Sequence, residues 1–204
     1  QCGGSVTLDA GNAGATYAWS DNSSNQTLTV TSSGNYSVTV TDGNGCTAED
    51  DVDITINTVP TVDLGADVTQ CGGSVTLDAG NAGATYAWSD NSSSQTLTVT
   101  STGNYSVTVT SNGCTASDDI DVEINSVPTV NLGNDVTQCG GSVTLDAGNA
   151  GATYAWSDNS SNQTLTVTST GNYSVTVTSN GCTATDDVDV EINSVPSVNL
   201  GNDL

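Results

Sequence analysis

Three tandem all-β sandwich modules of about 68 residues each are what this sequence predicts, and three observations predict it. The chain repeats itself: Cys71 is matched by Cys139, and Cys114 by Cys182, at the same interval of about 68 residues. Within short runs, apolar and polar residues alternate, as in Tyr105-Ser106-Val107-Thr108-Val109. That is the period-two mark of a strand with one buried face. Gly, Asn and Ser separate the runs as turn formers, and no helical period intervenes.

The run Gly103-Asn104-Tyr105-Ser106-Val107-Thr108-Val109 recurs as residues 34–40 and 171–177, and each module is organised around its own copy. Taken in order, the first module opens on Gln1-Cys2-Gly3-Gly4, which matches residues 70–73. Ser5-Val6-Thr7-Leu8-Asp9-Ala10 is a strand with Val6 and Leu8 inward, and Gly11-Asn12-Ala13-Gly14 is a turn. Thr16-Tyr17-Ala18-Trp19-Ser20 follows with both aromatics on one face. The polar loop 21–25 leads to Gln26-Thr27-Leu28-Thr29-Val30-Thr31, where Leu28 and Val30 face in. After the Tyr36 strand comes a Gly-rich turn to Cys46, then an acidic strand that places Val52, Ile54 and Ile56 inward.

Val59-Pro60, Val127-Pro128 and Val195-Pro196 mark the seams, because Pro interrupts strand pairing and stiffens a junction. The stretch after each Pro, such as residues 129–136, reads as the first strand of the next module. The predicted boundaries are 1–57 for module 1, with its first strand missing, 61–125 for module 2 and 129–193 for module 3. Residues 197–204 repeat the first strand of a following module. About seven short strands per module are expected. The middle core is predicted to contain Tyr86, Trp88, Leu97, Val99, Tyr105, Val107, Ile120 and Val122.

No Lys, Arg or His stands against 23 acidic residues. Such a polyanion has nothing to neutralise phosphates with, which excludes nucleic acid as a partner and disfavours anionic membrane surfaces. No apolar run approaches the roughly 20 residues of a bilayer span, so membrane insertion is not expected. Six Cys, two per module at matched spacing, are expected to pair inside modules: Cys2 with Cys46, Cys71 with Cys114, Cys139 with Cys182. Regular pairing implies an oxidising, extracellular setting. Closing each loop would be worth on the order of 4 kcal/mol, which matters in modules with little core.

Three segments carry a family likeness: Thr85-Tyr86-Ala87-Trp88-Ser89, Gly103-Asn104-Tyr105-Ser106-Val107-Thr108-Val109-Thr110, and Asn112-Gly113-Cys114-Thr115-Ala116. They resemble the immunoglobulin-like and PKD-like modules that stand in tandem in secreted and surface proteins of bacteria, especially Bacteroidota. Trp88 occupies the place of the core Trp, and the Gly-x-Tyr entry to the next strand looks like a tyrosine corner, whose hydroxyl ties back to nearby backbone. Where PKD-like modules follow the Trp with a Phe-Gly-Asp-Gly-like turn, this chain has Ser89-Asp90-Asn91-Ser92, so both assignments stay open. The resemblance implies a stalk, adhesin or filament with no active site to carry over.

Candidate chemistry is sparse. Without His, Lys or Arg, acid–base catalysis would rest on carboxylates such as Asp118, Asp119 and Asp121, and no phosphate loop or oxyanion motif accompanies them. No enzyme and no required cofactor are expected. The acidic ladder Asp119, Asp121 and Glu123, supplemented from the seams by Asp67 or Asp135, is the candidate calcium site. Alternate residues on a strand face lie about 6.5–7 Å apart, however, too far for all three to reach one ion unaided. Candidate glycan acceptors are the sequon residues Asn22, Asn35, Asn91, Asn104, Asn159 and Asn172, and outward hydroxyls such as Thr96, Thr98 and Thr108.

The expected role is a structural extracellular repeat in a stalk or head-to-tail filament. The alternative is a carbohydrate- or surface-binding adhesin module, calcium-dependent or not, with cell-surface or polysaccharide contacts. The expected partner is the protein itself. Either the residues are an excerpt of a longer covalent array, or the strand at 197–204 completes module 1 of another copy by strand addition.

Overall fold

The computed structural model describes residues 1–201. Among these residues it contains strands and turns but no helix. Module 1 holds β1 (Val6–Asp9), β2 (Thr16–Trp19), β3 (Thr27–Val30), β4 (Gly34–Thr41) and β5 (Thr47–Ile54). Module 2 holds β6 (Val68–Cys71), β7 (Val75–Asp78), β8 (Thr85–Trp88), β9 (Thr96–Val99), β10 (Gly103–Ser111) and β11 (Cys114–Asn125). Module 3 repeats it with β12 (Val136–Cys139), β13 (Val143–Asp146), β14 (Thr153–Trp156), β15 (Thr164–Val167), β16 (Gly171–Ser179) and β17 (Cys182–Asn193).

Each module is a sandwich of unequal sheets. In the third, β13 and β15 form a two-stranded antiparallel ribbon, and β12-β17-β16-β14 form the larger sheet. β12 runs parallel to the end of β17, with Cys139 opposite Asn193. The chain crosses from the larger sheet to the ribbon between β14 and β15 and returns at β16, an immunoglobulin-like connectivity. The second module has the same arrangement, β7 with β9 and β6-β11-β10-β8. The first has β1 with β3 and the three-stranded sheet β2-β4-β5.

Alternation produces the core. In Thr164-Leu165-Thr166-Val167 the two threonines are exposed and Leu165 and Val167 are buried. They meet Leu145 from the ribbon and Trp156, Val175, Val177, Val188 and Val190 from the larger sheet in one cluster. Six of the eight residues predicted for the middle core are buried: Trp88, Leu97, Val99, Val107, Ile120 and Val122. Tyr86 and Tyr105 are half-buried, keeping their polar ends at the margin. Tyr36 and Tyr173 donate their hydroxyls to the carbonyls of Ser32 and Ser169, both at 2.9 Å, as the tyrosine corner requires. The hairpin joining β10 to β11 turns on Asn112 and Gly113, with φ of 49° and 78°. Two successive positive φ values are those of a type I′ turn, which matches strand twist and suits Asn-Gly.

Several expectations are corrected. The stretch read as a first strand, residues 129–136, is irregular up to residue 135, and the strand proper is Val136–Cys139. Val130 and Leu132 still pack on the core, but the Leu132 amide is taken by a side chain instead of a ladder partner. Modules 2 and 3 therefore carry six strands each, not seven. In module 1, Val52 does not point into a closed interior: it is 41% exposed, whereas its counterparts Ile120 and Val188 are 2% and 1% exposed. Among the described residues, no counterpart of Val130 and Leu132 packs on the module 1 cluster. Residues 197–201 form no strand, and the last three residues of the predicted 197–204 strand lie outside the described residues.

The last correction concerns the disulfides. The bonds join Cys2 to Cys114 and Cys71 to Cys182, while Cys46 and Cys139 are free and exposed. Within a module the two cysteines stand at opposite ends of the longest strand. Cys182 begins β17 and Cys139 lies opposite its last residue, Asn193. Eleven strand steps at about 3.3 Å place them on the order of 36 Å apart, against the roughly 4.4–6.8 Å that a disulfide spans. Module 1 repeats the geometry, with Cys46 just before β5 and Cys2 bridged to Asn57 beyond its end.

By contacts the chain divides into two compact units. One comprises Gln1–Asp67, Thr76–Val99 and Asn104–Asp121; the other comprises Val68–Val75, Thr100–Gly103 and the chain from Val122 onward. Each disulfide lies wholly inside one unit.

Candidate functional site: the module seams

The side chains with most to do are at the seams. In the first unit, Cys2 and Cys114 have Cα atoms 5.4 Å apart, within the range a relaxed bond prefers. Asn57 donates from Nδ2 to the carbonyl of Asn112 at 2.8 Å and accepts from the Gly3 amide at 2.8 Å. In the second unit Cys71 and Cys182 repeat this at 5.5 Å. Asn125 donates to the carbonyl of Asn180 at 3.2 Å and accepts from Gly72 at 2.8 Å. The Asn-Gly hairpin of one module thus caps the strand end of the module before it. Gly140 has φ 62°, a backbone conformation that favours glycine, and a Cβ there would sit 2.6 Å from Val195 Cγ2, so the valine would have to shift.

After each seam the linker is anchored by a carboxylate. The Leu64 amide donates to Asp118 Oδ2 and the Leu132 amide to Asp186 Oδ2, each at 2.7 Å. Asp67 and Asp135 then accept the amides of Asp121 and Asp189 at 3.1 and 3.0 Å. Sequence reasoning missed Asp118 and Asp186 as anchors. In module 1 the equivalent carboxylate, Asp50, accepts the amide of its neighbour Asp51. Beside it lies an open groove of about 540 Å³, floored by Trp19, Val38, Val40 and Val52 and reaching Cys46.

The acidic ladder is organised by amides. Asn104 donates from Nδ2 to both Asp119 and Asp121 at 2.9 Å, and Asn172 does the same for Asp187 and Asp189. Asn35 bridges Asp51 and Asp53 at 2.8 and 3.0 Å. Glu123 accepts from the Thr69 hydroxyl at 3.2 Å. Asp67 reaches this region through the Asp121 amide, not through the other carboxylates. Among the described residues no three acidic or thiol side chains come together as a metal-holding group.

The sequon residues fall into two geometries. Asn22, Asn91 and Asn159 are exposed turn residues with φ of 69°, 69° and 70°. Asn35, Asn104 and Asn172 are exposed on strands, with the acceptor nitrogen engaged by carboxylates. Thr96, Thr98 and Thr108 face solvent, and the hydroxyls of Thr98 and Thr76 lie 3.3 Å apart across the ribbon.

With no side-chain cation in the chain, the carboxylates take hydrogen bonds in place of salt bridges. Asp78 and Asp146 are held below the ordinary carboxylate value of 3.8 by the side-chain amides of Gln95 and Gln163, and next by the Gly80 and Gly148 amides. Asp42 is lowered by the backbone amide of Cys46 and then that of Asn44, which shapes the loop beside the free thiol.

No protein-family model matches the chain. No curated protein matches it either. Among solved structures it is similar to two three-domain fragments of titin, domains I67–I69. An E-to-A variant is 13% identical with a TM-score of 0.49, and the I-band fragment is 13% identical with a TM-score of 0.48. In both cases 94% of each chain is covered. Extracellular domains 3–5 of Drosophila OTK are 12% identical over 94% of this chain and 92% of theirs, with a TM-score of 0.43.

Proposed function

We propose that this chain is a structural extracellular repeat whose work is mechanical: a stalk or filament segment that resists extension. The observation that carries this reading is the overlap of the two disulfides. Each joins one module to the next, at sequence separations of 112 and 111. Tension applied at the ends can pass from Cys2 to Cys114, back to Cys71 and across to Cys182. That covalent path contains about 43 residue steps, on the order of 150 Å fully extended. The reduced chain between Cys2 and Cys182 has about 180 steps, on the order of 600 Å. A disulfide inside each module would shorten the path locally and leave every linker to stretch, whereas staples between modules leave no linker outside a loop.

The bonds call for an oxidising compartment, consistent with a place outside the cell. Single-molecule extension of the 204-residue chain tests the reading. With disulfides intact, the contour gained between Cys2 and Cys182 is expected to stop near a quarter of that gained after reduction. Equal extension in both states would overturn it.

A further inference from the structure

Every module has the same loop after its Trp strand, Asp-Asn-Ser-Ser at residues 21–24, 90–93 and 158–161. Backbone, carboxylate and indole fix its shape. In module 2 the Asn91 amide donates to the Trp88 carbonyl and the Trp88 amide to the Ser92 carbonyl, both at 3.0 Å. Asp90 accepts the Ser92 amide at 2.8 Å, and the Trp88 indole nitrogen donates to the Ser94 carbonyl at 2.8 Å. Module 3 repeats these bonds around Trp156 and Asp158. None of them uses the side chain of Asn91 or Asn159. Both residues are exposed, with φ of 69° and 70°, a left-handed conformation that Asn adopts more readily than most residues. Ser93 and Ser161, also exposed, supply the hydroxyl of each Asn-x-Ser sequon. Modules 1 and 3 hold a further sequon running out of the same loop, Asn25-Gln26-Thr27 and Asn162-Gln163-Thr164, where module 2 has Ser94.

The strand sequons are differently placed. Asn104 directs Nδ2 at Asp119 and Asp121, and Asn172 directs its own at Asp187 and Asp189, each at 2.9 Å. An unmodified side-chain amide has two N–H donors. With a sugar on the nitrogen it keeps one, and can hold only one carboxylate of the pair. In a chain without Lys, Arg or His, no side-chain cation replaces the lost donor. The geometry therefore sorts the sequons: those on strands serve the acidic ladder, and those in the loop leave their amides to solvent.

We propose that the loop after each Trp strand is a carbohydrate attachment site. It is used at Asn22 or Asn25 in module 1, at Asn91 in module 2 and at Asn159 or Asn162 in module 3, while Asn104 and Asn172 stay bare. The donor is an oligosaccharide carried on a polyprenyl diphosphate, and an oligosaccharyltransferase outside the cytoplasm makes the transfer. The Asn Nδ2 attacks the anomeric carbon, and a C–N bond forms as the C–O bond to the diphosphate breaks. The diphosphate leaves with the bonding electron pair, and Nδ2 gives one proton to a base of the transferase. Nothing is oxidised or reduced. A glycan is bulky, solubilising and confined to surfaces, and an exposed loop tip takes it without disturbing a strand. The inference rests on the extracellular reading but not on the mechanical one.

The test uses the full chain purified from the cells that make it, digested and mapped by mass spectrometry with electron-transfer fragmentation, which locates a sugar of any composition on its residue. Sugar is expected on a loop Asn in every module and on neither Asn104 nor Asn172. Ser93→Ala, made in the same cells, removes the sequon hydroxyl and is expected to abolish sugar at Asn91 while module 3 stays occupied. Asn91→Gly keeps the positive φ without strain. It is expected to lose the same sugar with the Cys71–Cys182 bond still formed, which separates loss of the acceptor from loss of the fold. Bare loops, sugar on Asn104 or Asn172, or sugar joined to the loop through Ser or Thr oxygen would each overturn the proposal. So would sugar at Asn91 surviving Ser93→Ala. The extension experiment reads only the disulfides, so its failure is separable from failure here.

Discussion

The amide of Leu132 donates to Asp186 Oδ2 at 2.7 Å, tying the linker after the second seam to the long strand of the third module. A hydrogen bond to a charged acceptor is worth about 1.5–3 kcal/mol, and partial exposure of Asp186 places it at the lower end. Asp186→Ala is therefore expected to raise the exchange rate of the Leu132 amide roughly tenfold in hydrogen-exchange measurements. Asp50→Ala, with no linker amide to lose, should change no linker protection. Equal protection of Leu132 in the wild type and Asp186→Ala would remove the anchor role.

Open and closed grooves predict unequal costs for the same deletion. Val177 is 0% exposed and Val52 is 41% exposed. Val177→Ala should destabilise the chain by about 2 kcal/mol through lost burial and a cavity. Val52→Ala should stay within about 0.5 kcal/mol. Urea midpoints at constant slope would measure both, and comparable shifts would mean that module 1 is closed in solution.

Peptide mapping without reduction should recover the Cys2 peptide linked to that of Cys114, and the Cys71 peptide linked to that of Cys182. Recovery of Cys2 with Cys46 would contradict the seam geometry. In the chain-entropy model each closed loop is worth about 4–5 kcal/mol, less than additively because the loops overlap. Adding reductant should lower the urea midpoint accordingly.

Acid should act through the hydrogen-bonded carboxylates. Asp146 binds its proton less readily folded than unfolded, because Gln163 and then Gly148 donate to the charged form. Its contribution is fully present above the ordinary value of 3.8 and is lost as pH falls from there through the lowered folded value. Asp146→Asn should therefore flatten the decline of thermal midpoint below about pH 4 and leave its slope above pH 5 unchanged. An identical acid profile would show that the hydrogen bond does not persist in solution.

Strand identity and facing were legible because they are local. A period of two over four residues, as in Thr164-Leu165-Thr166-Val167, states which side chains go inward before any partner strand is known. The repeat then multiplied that reading by three, and the Gly-x-Tyr entry placed a hydroxyl whose partner carbonyl is only four residues away. The acidic ladder was legible as a row of charges. Its bridging by Asn104 was not, since that depends on which residues β10 and β11 bring side by side.

What only the tertiary structure decided is where the two ends of a long strand go. Cys139 and Cys182 are matched in count and spacing in every module, and by sequence alone they look like a pair. Twelve residues of extended β17 carry them to opposite ends, and Cys182 meets Cys71 of the module before it. The same non-local placement decided that Asp118 and Asp186 hold linkers, and that Val52 lies open where Ile120 is closed. Alternation is set by the backbone of a few residues, so the sequence alone determined the sandwich modules and their inward faces. Disulfide partners and groove closure are set by distances accumulated over a whole strand, and those exist only once the sheets have formed.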